Sequence, residues 1–205
     1  MIVIVDYGLG NLGSIKNMLR KIGSDSVITS DHSIIQKAEK LILPGVGSFD
    51  QGMKNMQERK LIPLLNQKVL EEKIPVLGIC LGMQLFTQKS EEGAFAGLGW
   101  VDAETIRFDP SKTERKFPVP HMGWEYVSGK TNSFLLNEMY EEPKFYFGHS
   151  YYVKCKNRED VILTSHYMHE FDSALQKENI LGVQFHPEKS HKYGMKLLSN
   201  FITHF

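Results

Sequence analysis

The run Ile74-Pro-Val-Leu-Gly-Ile-Cys-Leu-Gly-Met-Gln-Leu-Phe86 decides how the chain is read. It passes from an apolar strand through Gly78 to a single cysteine, Cys80, and into what reads as a helix starting at Leu81. A cysteine at the sharp end of a strand, with glycines two residues before and two after, has the pattern of a nucleophile elbow. The glycines allow a tight turn and a close approach by substrate, as in the serine G-x-S-x-G version. A helix beginning behind the sulfur offers free N–H groups and a positive dipole end, both favourable to a thiolate.

Outward from this run, the N-terminal half repeats one unit. Ile2 to Val5, Val27 to Thr29 and Leu41 to Leu43 are short apolar or β-branched runs, the pattern of strands buried on both faces. Between them lie a helix from about Ser14 to Ile22, with Ile15, Met18, Leu19 and Ile22 on one face and Gly23 as its stop, and a short helix from Ser33 to Lys40. Phe49 to Lys73 reads as two helices, with Pro63 opening the second or kinking the pair. Alternation of strand and helix predicts a mostly parallel central sheet covered on both faces, a three-layer α/β sandwich.

Gly8-Leu-Gly-Asn-Leu-Gly13 fits G-x-G-x-x-G literally. No convincing acidic residue ends a second strand about 20 residues on, so a loop at the carboxyl edge of the sheet is the better reading than a dinucleotide site. Pro44-Gly-Val-Gly47 is a second strand-to-glycine transition. It is either an ordinary β–α turn or a place where backbone N–H groups bind an anion or a developing oxyanion.

The C-terminal half predicts a smaller antiparallel sheet. Gly99 to Phe108, Lys144 to Val153, Val161 to Ser165, Ser173 to Lys177 and Ile180 to Phe185 are strand-like, with Glu178-Asn179 as a tight hairpin. Phe117 to Trp124 carries two prolines and reads as an extended segment rather than a central strand. Ser133 to Met139 suits one or two helical turns, and Lys192 to Phe205 a closing helix.

The chain has 205 residues, enough for one full core, and a single domain over 1–205 is expected. Lys plus Arg and Asp plus Glu balance at 24 each, which leaves no electrostatic footprint for nucleic acid or an acidic membrane. Only Cys80 and Cys155 could pair, which is no disulfide framework and suits a reduced, cytoplasmic setting. Met1 to Asp6 reads as a first strand rather than a signal peptide, and no apolar run approaches membrane-spanning length.

A nucleophilic cysteine needs a base within hydrogen-bond reach and a group to orient that base. Of the eight histidines, His186 alone ends an apolar strand and is followed by Pro187 and Glu188. A carboxylate two residues on can fold back to hold the imidazole tautomer, so Cys80, His186 and Glu188 form a candidate triad. His166, His169 and Glu170 lack metal-ligand spacing and read as a solvated loop; no metal and no cofactor are expected. Cys155 has no elbow around it and reads as a bystander thiol, while Met122-Gly-Trp124 in a proline-flanked loop would mark a partner surface.

Pro75-Val-Leu-Gly-Ile-Cys-Leu-Gly-Met-Gln84 together with Gly182-Val-Gln-Phe-His-Pro-Glu188 resembles the class I (triad) glutamine amidotransferases. The resemblance extends over essentially the whole chain to the glutaminase subunit of imidazole glycerol phosphate synthase. Asp6 to Leu12, Leu43 to Phe49, Pro120 to Trp124 and Phe145 to Tyr151 carry it. It implies a flavodoxin-like fold and a cysteine that attacks the glutamine carboxamide, forms a thioester and releases ammonia. It further implies an oxyanion hole from the N–H groups of Val46 and Leu81, and glutamine held by Gly47, Gln84, Glu92 and the backbone at His149, Ser150 and Tyr151. The implied partner is a (β/α)8-barrel synthase subunit, docked near Asn11, His121, Met122, Trp124 and Lys189, which receives the ammonia and works in histidine biosynthesis. One departure is Glu125, where the family usually has asparagine. With the 97–103 and 190–198 runs, it points to the alternative of a paralogous branch that feeds a sugar-amidating partner in surface-polysaccharide pathways. An inactive regulatory module of the same fold is the reading from another class, which the intact triad disfavours.

Overall fold

The structure, a computed structural model, describes residues 1–129 and 133–205. In chain order the first half runs β1 (Ile2–Val5), α1 (Leu12–Lys21), β2 (Ser26–Thr29), α2 (His32–Ile35), β3 (Lys40–Gly45), α3 (Phe49–Glu58), α4 (Leu61–Asn66), β4 (Val76–Cys80) and α5 (Leu81–Leu85). The second half runs β5 (Lys89–Ser90), β6 (Ala103–Arg107), β7 (His121–Gly129), β8 (Lys144–His149), β9 (Tyr151–Cys155), β10 (Val161–Tyr167), β11 (His169–Lys177), β12 (Ile180–Val183) and α6 (His191–His204).

Among the described residues the sheet has twelve strands, and its main path is β2-β1-β3-β4-β12-β11-β10-β7-β8. From β2 to β12 every neighbour is parallel, as the strand–helix alternation predicts. The side chains show why: Val3, Val5, Leu41 and Leu43 face α2 to α5, while Ile2, Ile4, Ile42, Leu77 and Ile79 face α1 and α6. A strand apolar on both faces is stable only between two helical layers.

The antiparallel strands continue this sheet. β11 is the junction: Ala174 to Lys177 pair with β12, Asp172 faces Val153 of β9, and its other edge carries β10. β6 and β5 extend the branch from β9.

Four local expectations change. The segment read as merely extended contains the start of β7, a nine-residue strand between β10 and β8. Pro118 and Pro120 lie just outside it, where a missing N–H costs no ladder bond. Lys144 to Val153 is two strands, because the chain leaves β7 at Ser150 and joins β6 and β11 as β9. The stretch read as a solvated loop, His166 to Glu170, is the end of the β10–β11 hairpin, with His166, His169 and Glu170 exposed. The helix expected over 33–40 is a single turn, α2, capped by Asp31.

Candidate active site

Three neighbouring strands deliver the site. In the β3–β4 register Gly45 lies opposite Cys80, and in the β4–β12 register Ile79 lies opposite Val183. The carboxyl ends of β3, β4 and β12 therefore present Val46-Gly47, Cys80 and Gln184 to His186 side by side, at the edge where open α/β sheets build sites.

The elbow is real and strained. Cys80 has φ 53° and ψ −109°, which for a non-glycine residue costs on the order of 1–3 kcal/mol. The two flanking glycines explain how the turn fits: a Cβ at Gly82 would overlap the carbonyl oxygen of Leu43, and one at Gly78 would run into Phe86 and the Met83 backbone. α5 thus lies directly on the sheet backbone. It is only five residues long, and as its first residue Leu81 has an N–H with no intrahelical acceptor.

His186 is 4% exposed, and Cys80 lies close enough to act on the charge of its imidazole. Its Nδ1 lies 2.8 Å from Glu188 Oε1. The 3-10 turn Pro187–Lys189 folds the carboxylate back to reach the ring, as the two-residue offset predicts. The backbone of His186 is pinned as well: its N–H donates to Tyr146 O at 2.8 Å, and its carbonyl accepts from Ser190 Oγ at 2.6 Å. Burial alone would lower the His186 pKa. The neighbouring Cys80 and the Glu188 hydrogen bond, with the charges of both, override it and raise the value to about 10.

Beside the sulfur lies a pocket of about 180 Å³. Val46, Gly47, Leu81, Gln84, Glu92, His149, Ser150 and Tyr151 line it with Cys80, and Pro120 and Gly148 complete the wall. The oxyanion and substrate residues expected from the sequence are thus brought together. Glu92 Oε2 accepts the N–H of Phe49 at 2.8 Å. Burial raises the Glu92 pKa, the Phe49 N–H opposes that, and the Asp50 charge adds to it. His149 is buried, and the carbonyl of Tyr151 accepts from its Nδ1 at 2.7 Å. The other ring nitrogen, Nε2, is therefore an acceptor, and it sits 3.1 Å from His121 Nδ1. Burial depresses both pKa values, to about 3 for His149 and about 4 for His121.

The residues expected to meet a partner divide. Met122 is 65% and Trp124 40% exposed, and Asn11 and Lys189 are exposed. Their surface setting differs from that of His121, which is 3% exposed and stacked on Tyr167 with ring centroids 3.9 Å apart. The strand period explains the difference: His121 points inward from β7 while Met122 and Trp124 point out. Of the segment expected at the docking face, the His121 side chain is thus buried while Met122 and Trp124 present theirs to the surface. Glu125 shares the His121 parity, so it lies on the opposite face of β7 from Trp124.

Two residues near the nucleophile escaped the sequence reading. Gln184, fully buried, donates from Nε2 to Cys80 Sγ at 3.6 Å. Its signal was a polar residue at the end of an apolar strand, two before the histidine. Tyr7, also fully buried, brings its hydroxyl so close to Gly45 that a Cβ there would clash with it, and that hydroxyl has no hydrogen-bond partner among the described residues. Burial and the Cys80 charge raise its pKa. Cys155 is buried against Asp172, and burial pushes its thiol up to about 12, far from an activated nucleophile.

A cysteine on an elbow, a histidine held by a carboxylate and a small polar pocket define a thiol amidase of the α/β sandwich class. The family model for class-I glutamine amidotransferases matches residues 3–205, and the chain belongs to that family of enzymes. Within it, similar proteins include imidazole glycerol phosphate synthase subunits. One is subunit HisH 2 of Methanococcus maripaludis, 57% identical over 98% of each chain. Another is subunit HisH 2 of Pseudomonas aeruginosa, 45% identical over 98% of each chain. The fold is shared with the solved structure of PurLQS from Thermotoga maritima, at TM-score 0.73 and 16% identity over 98% of this chain and 96% of that one. No helix among the described residues is long and apolar enough to cross a membrane.

Proposed function

We propose that this single-domain chain is a glutaminase subunit that passes ammonia to a (β/α)8-barrel synthase subunit making imidazole glycerol phosphate, in the cytoplasm. The observation that carries the chemistry is the line Cys80–His186–Glu188 beside a pocket sized for one amino acid. The names of the relatives carry the pathway and the need for a partner.

In the first step Cys80 Sγ attacks the carboxamide carbon of glutamine, and the oxygen takes the charge. The N–H groups of Val46 and Leu81 hold that oxyanion. The C–N bond then breaks, His186 protonates the leaving nitrogen, ammonia departs and a glutamyl thioester remains. In the second step His186 removes a proton from water, which attacks the thioester; the C–S bond breaks, glutamate leaves and the thiolate returns. Glu188 keeps Nδ1–H bonded, so that Nε2 is the nitrogen that exchanges protons with sulfur and substrate. Glu92 and the Gly47, Gln84 and His149–Tyr151 wall hold the amino acid. Met122, Trp124, Lys189 and Asn11 offer the docking face.

The test is Cys80→Ala in the complex with the co-purified partner. Glutamine hydrolysis should fall to background while the pair still assembles, and wild-type turnover would remove Cys80 from the mechanism. Co-purification with a sugar-amidating enzyme instead of the barrel synthase would leave the glutaminase and move the acceptor.

A further inference from the structure

The buried amide of Gln184 lies against the nucleophile, and its orientation follows from hydrogen-bond polarity. Gln84 Nε2 donates to the carbonyl of Tyr151 at 3.0 Å and to Gln184 Oε1 at 3.2 Å. Gln184 Nε2 in turn donates to Cys80 Sγ at 3.6 Å. A carbonyl accepts only, so Tyr151 O requires the NH₂ end of Gln84 to face it. That leaves Gln84 a donor toward Gln184, which must answer with its oxygen and turn its own NH₂ to the sulfur. Rotating either amide would set oxygen against oxygen or NH₂ against NH₂ in a buried site, each costing about 1–3 kcal/mol. The same Tyr151 carbonyl accepts from His149 Nδ1, so one backbone oxygen on the pocket wall sets the polarity of both branches.

We infer that Gln184 is a positioning residue for the nucleophile: through the relay Tyr151 O–Gln84–Gln184 it holds an N–H donor on Cys80 Sγ. A thiolate at Cys80 gains from this buried donor and from the neighbouring His186 imidazolium, where a thiol, with one hydrogen of its own to place, gains less. The other titratable groups facing the sulfur are Tyr7 and, behind the imidazole, Glu188. Neither donates a hydrogen bond to Cys80 Sγ, so Gln184 is not duplicated. Because the relay starts at a carbonyl of the substrate wall, displacement of Tyr151 would also reorient the donor. The inference rests on Cys80 being the nucleophile, and the experiment reads the sulfur without needing glutamine turnover.

The test compares Gln184→Met, similar in shape but without a donor, with Gln184→Glu, which turns a carboxylate toward the sulfur. Iodoacetamide alkylation of Cys80 in the full chain is followed by peptide mass across pH. With Met, alkylation at neutral pH should slow about three- to tenfold and its rise should move to higher pH. With Glu the slowing should exceed that of Met. In the complex with the co-purified partner, kcat for glutamine should fall about tenfold with Met while KM stays within about twofold. If either variant fails to fold, the wild-type protein labelled with [¹⁵N]glutamine supplies the measurement: the Gln184 side-chain amide resonances should move when Cys80 is alkylated. Unchanged alkylation profiles in Gln184→Met, or Gln184 resonances indifferent to alkylation, would overturn the inference. A normal alkylation effect combined with undiminished turnover of Cys80→Ala would instead sink the glutaminase mechanism and leave the relay standing.

Discussion

Glu188 Oε1 sits 2.8 Å from His186 Nδ1, while the other oxygen of the same carboxylate, Oε2, is buried without a hydrogen-bond partner among the described residues. The carboxylate therefore commits one oxygen to the imidazole and keeps the other desolvated, so its charge acts on His186 with little dilution by solvent.

Glu188→Gln keeps an acceptor for Nδ1 and removes the charge. Since that charge and hydrogen bond help lift His186 to about 10, the imidazolium should deprotonate at lower pH in the variant. The alkaline limb of glutamine hydrolysis should move down in pH, and kcat should fall on the order of 10²-fold, the scale of positioned acid–base catalysis. A pH–rate profile of the complex checks both; an unmoved limb would detach Glu188 from His186.

His121 and His149 predict acid sensitivity. Their folded pKa values, about 4 and about 3, lie below the 6.5 of an ordinary histidine. Between these values the unfolded chain binds more protons, so stability rises with pH there and is lost as pH falls from about 6.5 through 4 and below. Urea midpoints across that range should decline steadily. His186 has the opposite sign: its contribution is present below 6.5 and lost as pH rises through about 10.

Gly82→Ala puts a methyl onto the Leu43 carbonyl oxygen. α5 must lift from the sheet, with a cost of about 1–3 kcal/mol and a displaced Cys80. Thermal denaturation should show a lowered midpoint, and alkylation of Cys80 an altered rate. Wild-type values for both would show that the elbow has room that the packing denies.

Trp124→Ala and His121→Ala should part company. Trp124 is 40% exposed and stacks on His191 with the ring planes 3° apart. Its removal should leave the thermal midpoint nearly unchanged and weaken the partner complex by about 2 kcal/mol, roughly thirtyfold in Kd. His121→Ala empties a buried position and leaves His149 Nε2 without its donor, so it should lower the midpoint first. Calorimetry of folding and of binding separates the two.

Much of this molecule was readable in one dimension. The parallel strands declare themselves because a strand covered on both faces must be apolar at every position, as Ile2 to Val5 and Val76 to Ile79 are. Cys80, His186 and Glu188 were legible because an elbow needs glycines at fixed offsets and here the orienting carboxylate lies only two residues from its histidine. These are local constraints, and local constraints leave marks at fixed spacing. Tertiary structure alone decided the rest. Pro118 and Pro120 hid a central strand because their effect depends on whether they fall inside the ladder. His121 and Trp124 look alike as a docking pair until the register of β7 turns one inward. Gln184 gains its place against Cys80 only from the pairing of β12 with β4, and its polarity only from a carbonyl on β9. Which atom faces which across three strands is a matter of register, and register is set by long-range pairing that neighbouring residues do not encode.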